Sequence, residues 1–197
     1  MNKLLLVLGS ILLFSGLGCS IFAISELIKH EEAQSESIKK AKSMILKNHQ
    51  ENSDSLDSIK MKNDFEVGDV IGILDIPKLK REVPILSGTN EDELEKGVGH
   101  YSTTALPGEK NRIFLAGHRD TVFKKMGELQ KGDILTVQLK TGVHEYEIYE
   151  TFIVDESNLS VLEPTTPEEI LTLSTCYPFE YLSSTDERYI INARKIN

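Results

Sequence analysis

The amino-acid sequence predicts an all-β domain, a closed or nearly closed barrel of seven to eight strands with short helices, preceded by an N-terminal transmembrane helix. Three observations carry that expectation. From Phe65 onward the chain is a series of short β-branched runs punctuated by Gly and Pro, the pattern of many strands joined by turns. About 130 residues hold seven or eight such runs, and closing them into a barrel removes the unpaired edges an open sheet would expose. Finally, Leu4 to Ile24 is a stretch of 21 residues without a charge, long enough at about 1.5 Å per residue to cross a bilayer as a helix.

The first unit, residues 1–25, is a membrane anchor through residues 4–24. Lys3 before the apolar run and Glu26 after it orient the amino terminus inside and the remainder outside, a single-pass protein of the cell membrane. Two other readings compete. A cleaved signal peptide would end at Ile21-Phe22-Ala23, which lacks the small residue two before Ala23. A lipoprotein signal would use Leu17-Gly18-Cys19, but Gly16 stands where a leucine-like residue is wanted.

Residues 26–64 read as a polar extracellular stalk, rich in Glu, Lys, Ser, Gln and Asn and free of Pro and Gly. Ile38, Ala41, Ile45 and Leu46 fall on one stripe of a short helix, and Asn48–Ser58 has the composition of a solvated linker. The barrel follows over 65–197. Its predicted strands are Val70–Ile76, Glu82–Ile85, Arg112–Ala116, Ile134–Leu139, Val143–Phe152, Ile170–Thr175 and Arg188–Ala193. Asn90–Lys96 starts with a polar cap and an acidic first turn, as a short helix does, and Val122–Leu129 suits another. Lys140-Thr141-Gly142 makes a hairpin that pairs its flanking runs antiparallel.

Composition excludes some functions. The net charge is −9 and no run of five Lys or Arg occurs, so no surface for a nucleic acid is expected. Acidic residues show no ligand spacing for a metal, and nothing calls for a cofactor. Of the two cysteines, Cys19 falls inside the apolar run, which leaves Cys176 an unpaired thiol in an oxidising exterior. Such a thiol is either a small buried hydrophobe or a reactive group.

Its setting favours the second reading. Cys176 directly follows the strand Ile170–Thr175, a rigid mount at the start of the loop Tyr177–Glu187. A free thiol is only a few per cent thiolate near neutrality, so it needs a base. His118 ends another apolar strand through the small Gly117, and two adjacent parallel strands would carry both residues to one sheet edge. His30 and His49 lie in the stalk, and His144 follows the hairpin turn as a solvated edge residue. His100, on the Gly-rich segment GVGHYSTTALPGE, suits either a hydrogen-bonded loop or a groove wall. An arginine would stabilise the oxyanion without deprotonation. Arg188 opens the last strand and returns to Cys176 if that strand runs antiparallel to Ile170–Thr175; Arg119 and Arg194 are the alternatives.

With Leu115-Ala116-Gly117-His118-Arg119-Asp120, Thr172-Leu173-Ser174-Thr175-Cys176 and Arg188 in this order, the chain resembles the sortases from about Phe65 to Asn197. The segments TALPGEKNRIFLAGHRDTVF and TLSTCYPF are similar to class D in particular, with class E the near neighbour. There is no Trp, no Asp-Pro-Trp lid, no long helical insertion between the later strands and no second membrane segment, features that mark other classes. The resemblance implies a sortase-type barrel on a Gram-positive surface that cleaves a Leu-Pro-x-Thr-Gly or Leu-Pro-x-Thr-Ala signal after Thr. Cys176 would form the thioester, His118 would serve as acid and base, and Arg188 would hold the oxyanion. The implied partners are surface proteins bearing the signal and an amine of a peptidoglycan precursor. A substrate groove would lie between Asp155–Glu169, Tyr177–Glu187 and His100–Pro107, lined by His100, Thr104, Leu106, Pro107, Ser174, Thr175 and Tyr177. The competing functions are an extracellular cysteine protease and a non-catalytic, surface-anchored binding module.

Overall fold

The computed structural model describes residues 3–51, 65–180 and 184–196; within the first segment, side chains are described at 8–23, 25, 29 and 31–46. Eight strands close into one barrel in the order β1-β2-β3-β4-β7-β8-β6-β5. They are β1 Val70–Ile76, β2 Arg81–Ser87, β3 Val98–His100, β4 Arg112–Ala116, β5 Ile134–Leu139, β6 Gly142–Asp155, β7 Ile170–Tyr177 and β8 Glu187–Lys195. A long helix α1, Lys3–Glu51, precedes the barrel, and a single-turn helix α2, Glu91–Leu94, sits between β2 and β3.

Local sequence explains most of these elements. β5 alternates half-buried Ile134, Thr136 and Gln138 with buried Leu135, Val137 and Leu139, the two-residue period of a strand with one face on a core. β6 follows through a two-residue loop, since Leu139 pairs with Gly142 and the two strands run antiparallel. β7 reads differently because it lies between β4 and β8 and is covered on both faces: all of Ile170–Thr175 is buried. The interior is filled by Leu74, Ile76, Phe123, Leu135, Tyr146 and Leu173, each at most 0 % exposed.

β3 has no strand signal in the sequence. It is three residues long, and Gly99 at its centre interrupts the apolar pattern. The structure explains the glycine: a Cβ there would lie 2.3 Å from the Gly88 carbonyl oxygen. β3 nonetheless links β2, in parallel, to β4, in antiparallel, and so closes the barrel wall.

The stalk region departs most from expectation, because α1 runs without a break through Glu51 instead of forming a short helix on a solvated tether. Ala41, 1 % exposed, packs with Val70, Ile73 and Leu86 on the outside of β1 and β2, flanked by Ile38 and Ile45. Leu46, expected on the same stripe, is exposed. Lys42 Nζ donates to Glu82 at 2.5 Å beside this contact. Much of the linker Asn48–Ser58 and the junction to Phe65 lie outside the described residues. Within the predicted span 4–24 the helix is described throughout, and the side chains are described at 8–23. Among the described residues no helix is long and apolar enough to cross a membrane, and the described part of the span, from Leu8 to Phe22, exposes every large hydrophobic side chain.

Candidate active site

Strand register brings the three predicted residues to one rim of the barrel. β4 and β7 are parallel with Ala116 opposite Ser174, and Gly117 N–H donates to the Ser174 carbonyl at 3.1 Å. Thr175 Oγ1 returns a hydrogen bond to the Gly117 carbonyl at 2.8 Å. Cys176 is the penultimate residue of β7, and His118 follows β4 through Gly117. On the other side of β7, Cys176 pairs with Arg188 of the antiparallel β8. Cys176 is a free, half-buried thiol.

Each charged neighbour has an acidic partner. His118 Nε2 lies 3.3 Å from Glu91 Oε1 of α2. Arg188 donates through Nη1 to the Thr185 carbonyl at 2.6 Å and through Nη2 to the Glu156 carboxylate. The other arginines are occupied elsewhere. Arg119, 6 % exposed, donates through Nη1 to the Pro178 carbonyl at 2.8 Å, and Arg194 stacks on Tyr149 with its guanidinium carbon 4.6 Å from the ring centre.

A groove of about 270 Å³ runs from this rim along the outer face of β4, β7 and β8. Tyr101, Phe114, Ala116, Val161, Leu162 and Ile190 form its apolar surface, and Ser174, Arg188, Glu156 and Thr89 its polar margin. On the same sheet face a row of hydrogen bonds joins four strands: Arg112 Nη1 to Thr172 Oγ1 at 2.7 Å, Thr172 Oγ1 to Asn192 Oδ1 at 2.8 Å, and Asn192 Nδ2 to Glu150 at 3.2 Å. That row holds β4, β7, β8 and β6 in one register, so the groove has a rigid floor.

The predicted groove residues separate into two groups. Ser174 lines the groove. Thr175 does not, since strand alternation turns it inward, where it is 2 % exposed. His100, Leu106 and Pro107 line a small void inside the barrel instead. His100 Nε2 bonds the Ala105 carbonyl at 2.9 Å, and burial pushes its pKa below the usual imidazole range. This is the hydrogen-bonded loop role. Thr104 Oγ1 donates to the Tyr101 carbonyl at 2.7 Å and accepts from Phe114 N–H at 3.1 Å. Tyr177 stacks on Tyr189 and meets Phe179 edge-on, an aromatic cluster beside Cys176 and not in the groove.

The loop after β6 walls the groove as expected, but from the segment His100–Pro107 only Tyr101 reaches it. Residues 181–183 of the loop Tyr177–Glu187 lie outside the described residues. Sequence reasoning missed Glu91, Glu156, Phe114 and Ile190. Phe114 and Ile190 belong to strands covered on both faces, where the alternation that separates groove from core is invisible. His144 also differs from expectation: both its ring nitrogens are buried without a hydrogen-bond partner, and burial with the nearby Lys195 lowers its pKa.

A thiol, an imidazole and a guanidinium on three adjacent strands are the groups that acyl transfer would need, and the chain was compared with known proteins on its whole length. Residues 74–196 match the profile of the Sortase domain. The chain is 44% identical over 176 residues to Sortase D of Bacillus subtilis (strain 168), covering 87% of this chain and 88% of that one. Among solved structures, a Clostridium perfringens Sortase D5 transpeptidase superposes with a TM-score of 0.70 at 27% identity, over 84% of this chain and 99% of its own. Clostridium perfringens sortase C, solved with the C-terminal cell wall sorting motif, shares the fold with a TM-score of 0.63 at 24% identity, over 84% and 89% of the two chains.

The chain therefore belongs to the sortase family, the cysteine transpeptidases that anchor proteins to the cell wall. Within that family it is most like class D.

Proposed function

We propose that this sortase cleaves a Leu-Pro-x-Thr-Gly or Leu-Pro-x-Thr-Ala sorting signal after Thr through a thioester on Cys176, and transfers the acyl group to an amine of peptidoglycan or its precursor. The observation that carries the reading is the strand register that brings His118, Cys176 and Arg188 to one rim of the barrel, with Cys176 and Arg188 directly paired across β7 and β8 and Arg188 lining the apolar-walled groove. The sortase C of Clostridium perfringens solved with a sorting motif supports the substrate class.

In this mechanism the Cys176 thiolate attacks the threonine carbonyl and a C–S bond forms. As the peptide C–N bond breaks, the leaving amine takes a proton from the His118 imidazolium. The Arg188 guanidinium faces the negative charge that develops on the carbonyl oxygen, where a fixed cation in a sheltered groove is most effective. The thioester then keeps its acyl-transfer potential until an amine arrives. That amine gives its proton to His118 as it attacks, the C–S bond breaks, and the thiolate is restored.

The apolar segment 4–24 would hold the enzyme in the cell membrane with the barrel outside. Its support is the positive charge before the segment and the run of exposed Ile, Leu and Phe side chains from Leu8 to Phe22. The test of the activity is to incubate the full chain with a sorting-signal peptide, with and without an added amine, and to analyse products by mass spectrometry. An acyl group on Cys176 and an amine-linked product support the proposal. Hydrolysed product alone, despite excess amine, would identify a protease.

A further inference from the structure

We infer that Glu91 is a positioning residue for His118: its carboxylate holds the imidazole by Nε2 and keeps Nδ1 for proton transfer at the reacting amine. The inference rests on the transpeptidase reading above.

His118 stands two residues beyond the end of β4, on a loop rather than within a strand. Its backbone is well held. The His118 carbonyl accepts from Phe123 N–H at 3.0 Å, and Gly117 before it is pressed under Val122 and Phe123. Its ring is less so, being 35 % exposed, and the contact recorded for it is Glu91 Oε1 at 3.3 Å from Nε2. A base that must give and take a proton at one nitrogen works best when a third group fixes the ring and its tautomer through the other nitrogen.

The Glu91 side chain is 73 % exposed, but the backbone that carries it is held in place. Glu91 is the first residue of α2, and buried Glu93 in the same turn accepts a hydrogen bond from Asn90 N–H at 3.0 Å. Leu94 presses α2 onto Gly99 of β3, the strand that pairs with the His118-bearing β4. Thr89, two residues before Glu91, already lines the groove. The turn that carries Glu91 therefore starts at the groove margin. Glu156 makes the corresponding contact to Arg188 on the opposite side.

The other charged or titratable groups on the elements next to His118 include Cys176 on β7, Arg188 on β8, Arg81 on β2, whose Nη2 donates to the Thr121 carbonyl at 2.8 Å, and Arg119 and Asp120 on its own loop. Arg119 is turned away onto the Pro178 carbonyl and Asp120, and Arg188 onto Glu156 and Thr185. Glu91 is therefore the anion in contact with the ring. Removing its charge disfavours the imidazolium, which lowers the pH at which His118 titrates. Because the Glu91 side chain is largely solvated, the expected change in the Glu91→Gln variant is modest, about half a pH unit downward, read as a matching displacement of the kinetic limb.

The experiment compares full-length wild type, Glu91→Gln, Glu91→Asp and Asp92→Asn. NMR follows the His118 ring through a pH titration, assigned with His118→Gln, and pH-rate profiles are measured on a sorting-signal peptide. Glu91→Gln is expected to move the His118 midpoint and the corresponding kinetic limb down together with KM unchanged, Glu91→Asp to restore part of the shift, and Asp92→Asn to leave both nearly in place. A Glu91→Gln midpoint that moves by less than about 0.2 units, that rises, or that matches Asp92→Asn overturns the inference. The NMR arm does not depend on turnover. A wild type that forms no acyl-enzyme refutes the proposed function, whereas an active wild type with an unshifted Glu91→Gln refutes only the role of Glu91.

Discussion

Cys176 has a strand on each side, and in the proposed mechanism both neighbours contribute to its chemistry. β4 leads into His118, and β8 places Arg188 directly across from the thiol. Because the proposed mechanism gives each residue a different part of acyl transfer, Cys176→Ala, His118→Ala and Arg188→Ala are each expected to reduce turnover of a sorting-signal peptide by at least about 100-fold. Near-normal turnover of His118→Ala would falsify the mechanism. Arg188→Lys should also be poor. The guanidinium is spread between the Thr185 carbonyl and the Glu156 carboxylate while facing the groove, and a single ammonium cannot keep that geometry.

At the scale of elements, the strand ends are held from both sides. Gly117 joins β4 to His118 where a Cβ would lie 2.7 Å from Val122 and 2.8 Å from the Phe123 ring, both fully buried. Gly117→Ala is expected to cost about 1–3 kcal/mol and to reduce kcat by displacing His118, measured by chemical denaturation and by turnover of the folded fraction. The far end of β7 begins beside Glu169, a buried carboxylate that accepts from Tyr146 Oη at 2.8 Å and from the backbone N–H groups of Gly108 at 3.1 Å and Lys110 at 3.3 Å. Burial alone would raise its pKa, but these donors and Lys195 outweigh burial and hold it below the usual carboxylate range. A carboxylate whose pKa is depressed on folding adds stability above its unfolded pKa, and that stability is lost as pH falls through the folded value. Glu169→Gln should therefore destabilise the barrel by about 2 kcal/mol near neutrality, with the gap to wild type closing in acid.

For the whole molecule, α1 is the element that changes the picture. A flexible stalk would let the barrel sample many heights above a membrane. A helix that docks at Ala41 on β1 and β2 instead holds the barrel about 25 Å along its axis from the end of the apolar segment at Ile24. Ala41→Glu buries a charge in that contact and is expected to lower Tm by about 5 °C in a thermal melt. Its kcat/KM on a free peptide should stay unchanged, since the contact is on the opposite strands from the groove. An unaltered melt would mean that α1 does not brace the barrel in solution.

Sequence alone was enough to determine what local patterns encode: seven of the eight strands, with boundaries within a few residues, the hairpin between β5 and β6, and the rank of Cys176, His118 and Arg188 as candidate chemistry at strand ends. The eighth strand was hidden because Gly99 leaves no side chain to carry a pattern, and only the close approach of Gly88 accounts for it. Tertiary structure decided the rest. Pairing of β7 with β4, which is distant in sequence, set Cys176 beside the strand that leads to His118, and the register of β7 with β8 set it opposite Arg188. The inward turn of Thr175, the burial of His100 and Leu106, and the choice of Phe114 and Ile190 as groove surface depend on which face of a doubly covered strand meets the core. The contacts of Glu91 with His118, Glu156 with Arg188 and Ala41 with β1 join segments that share no local signal. They exist because the barrel closes, and closure is a property of long-range pairing that no window of sequence contains.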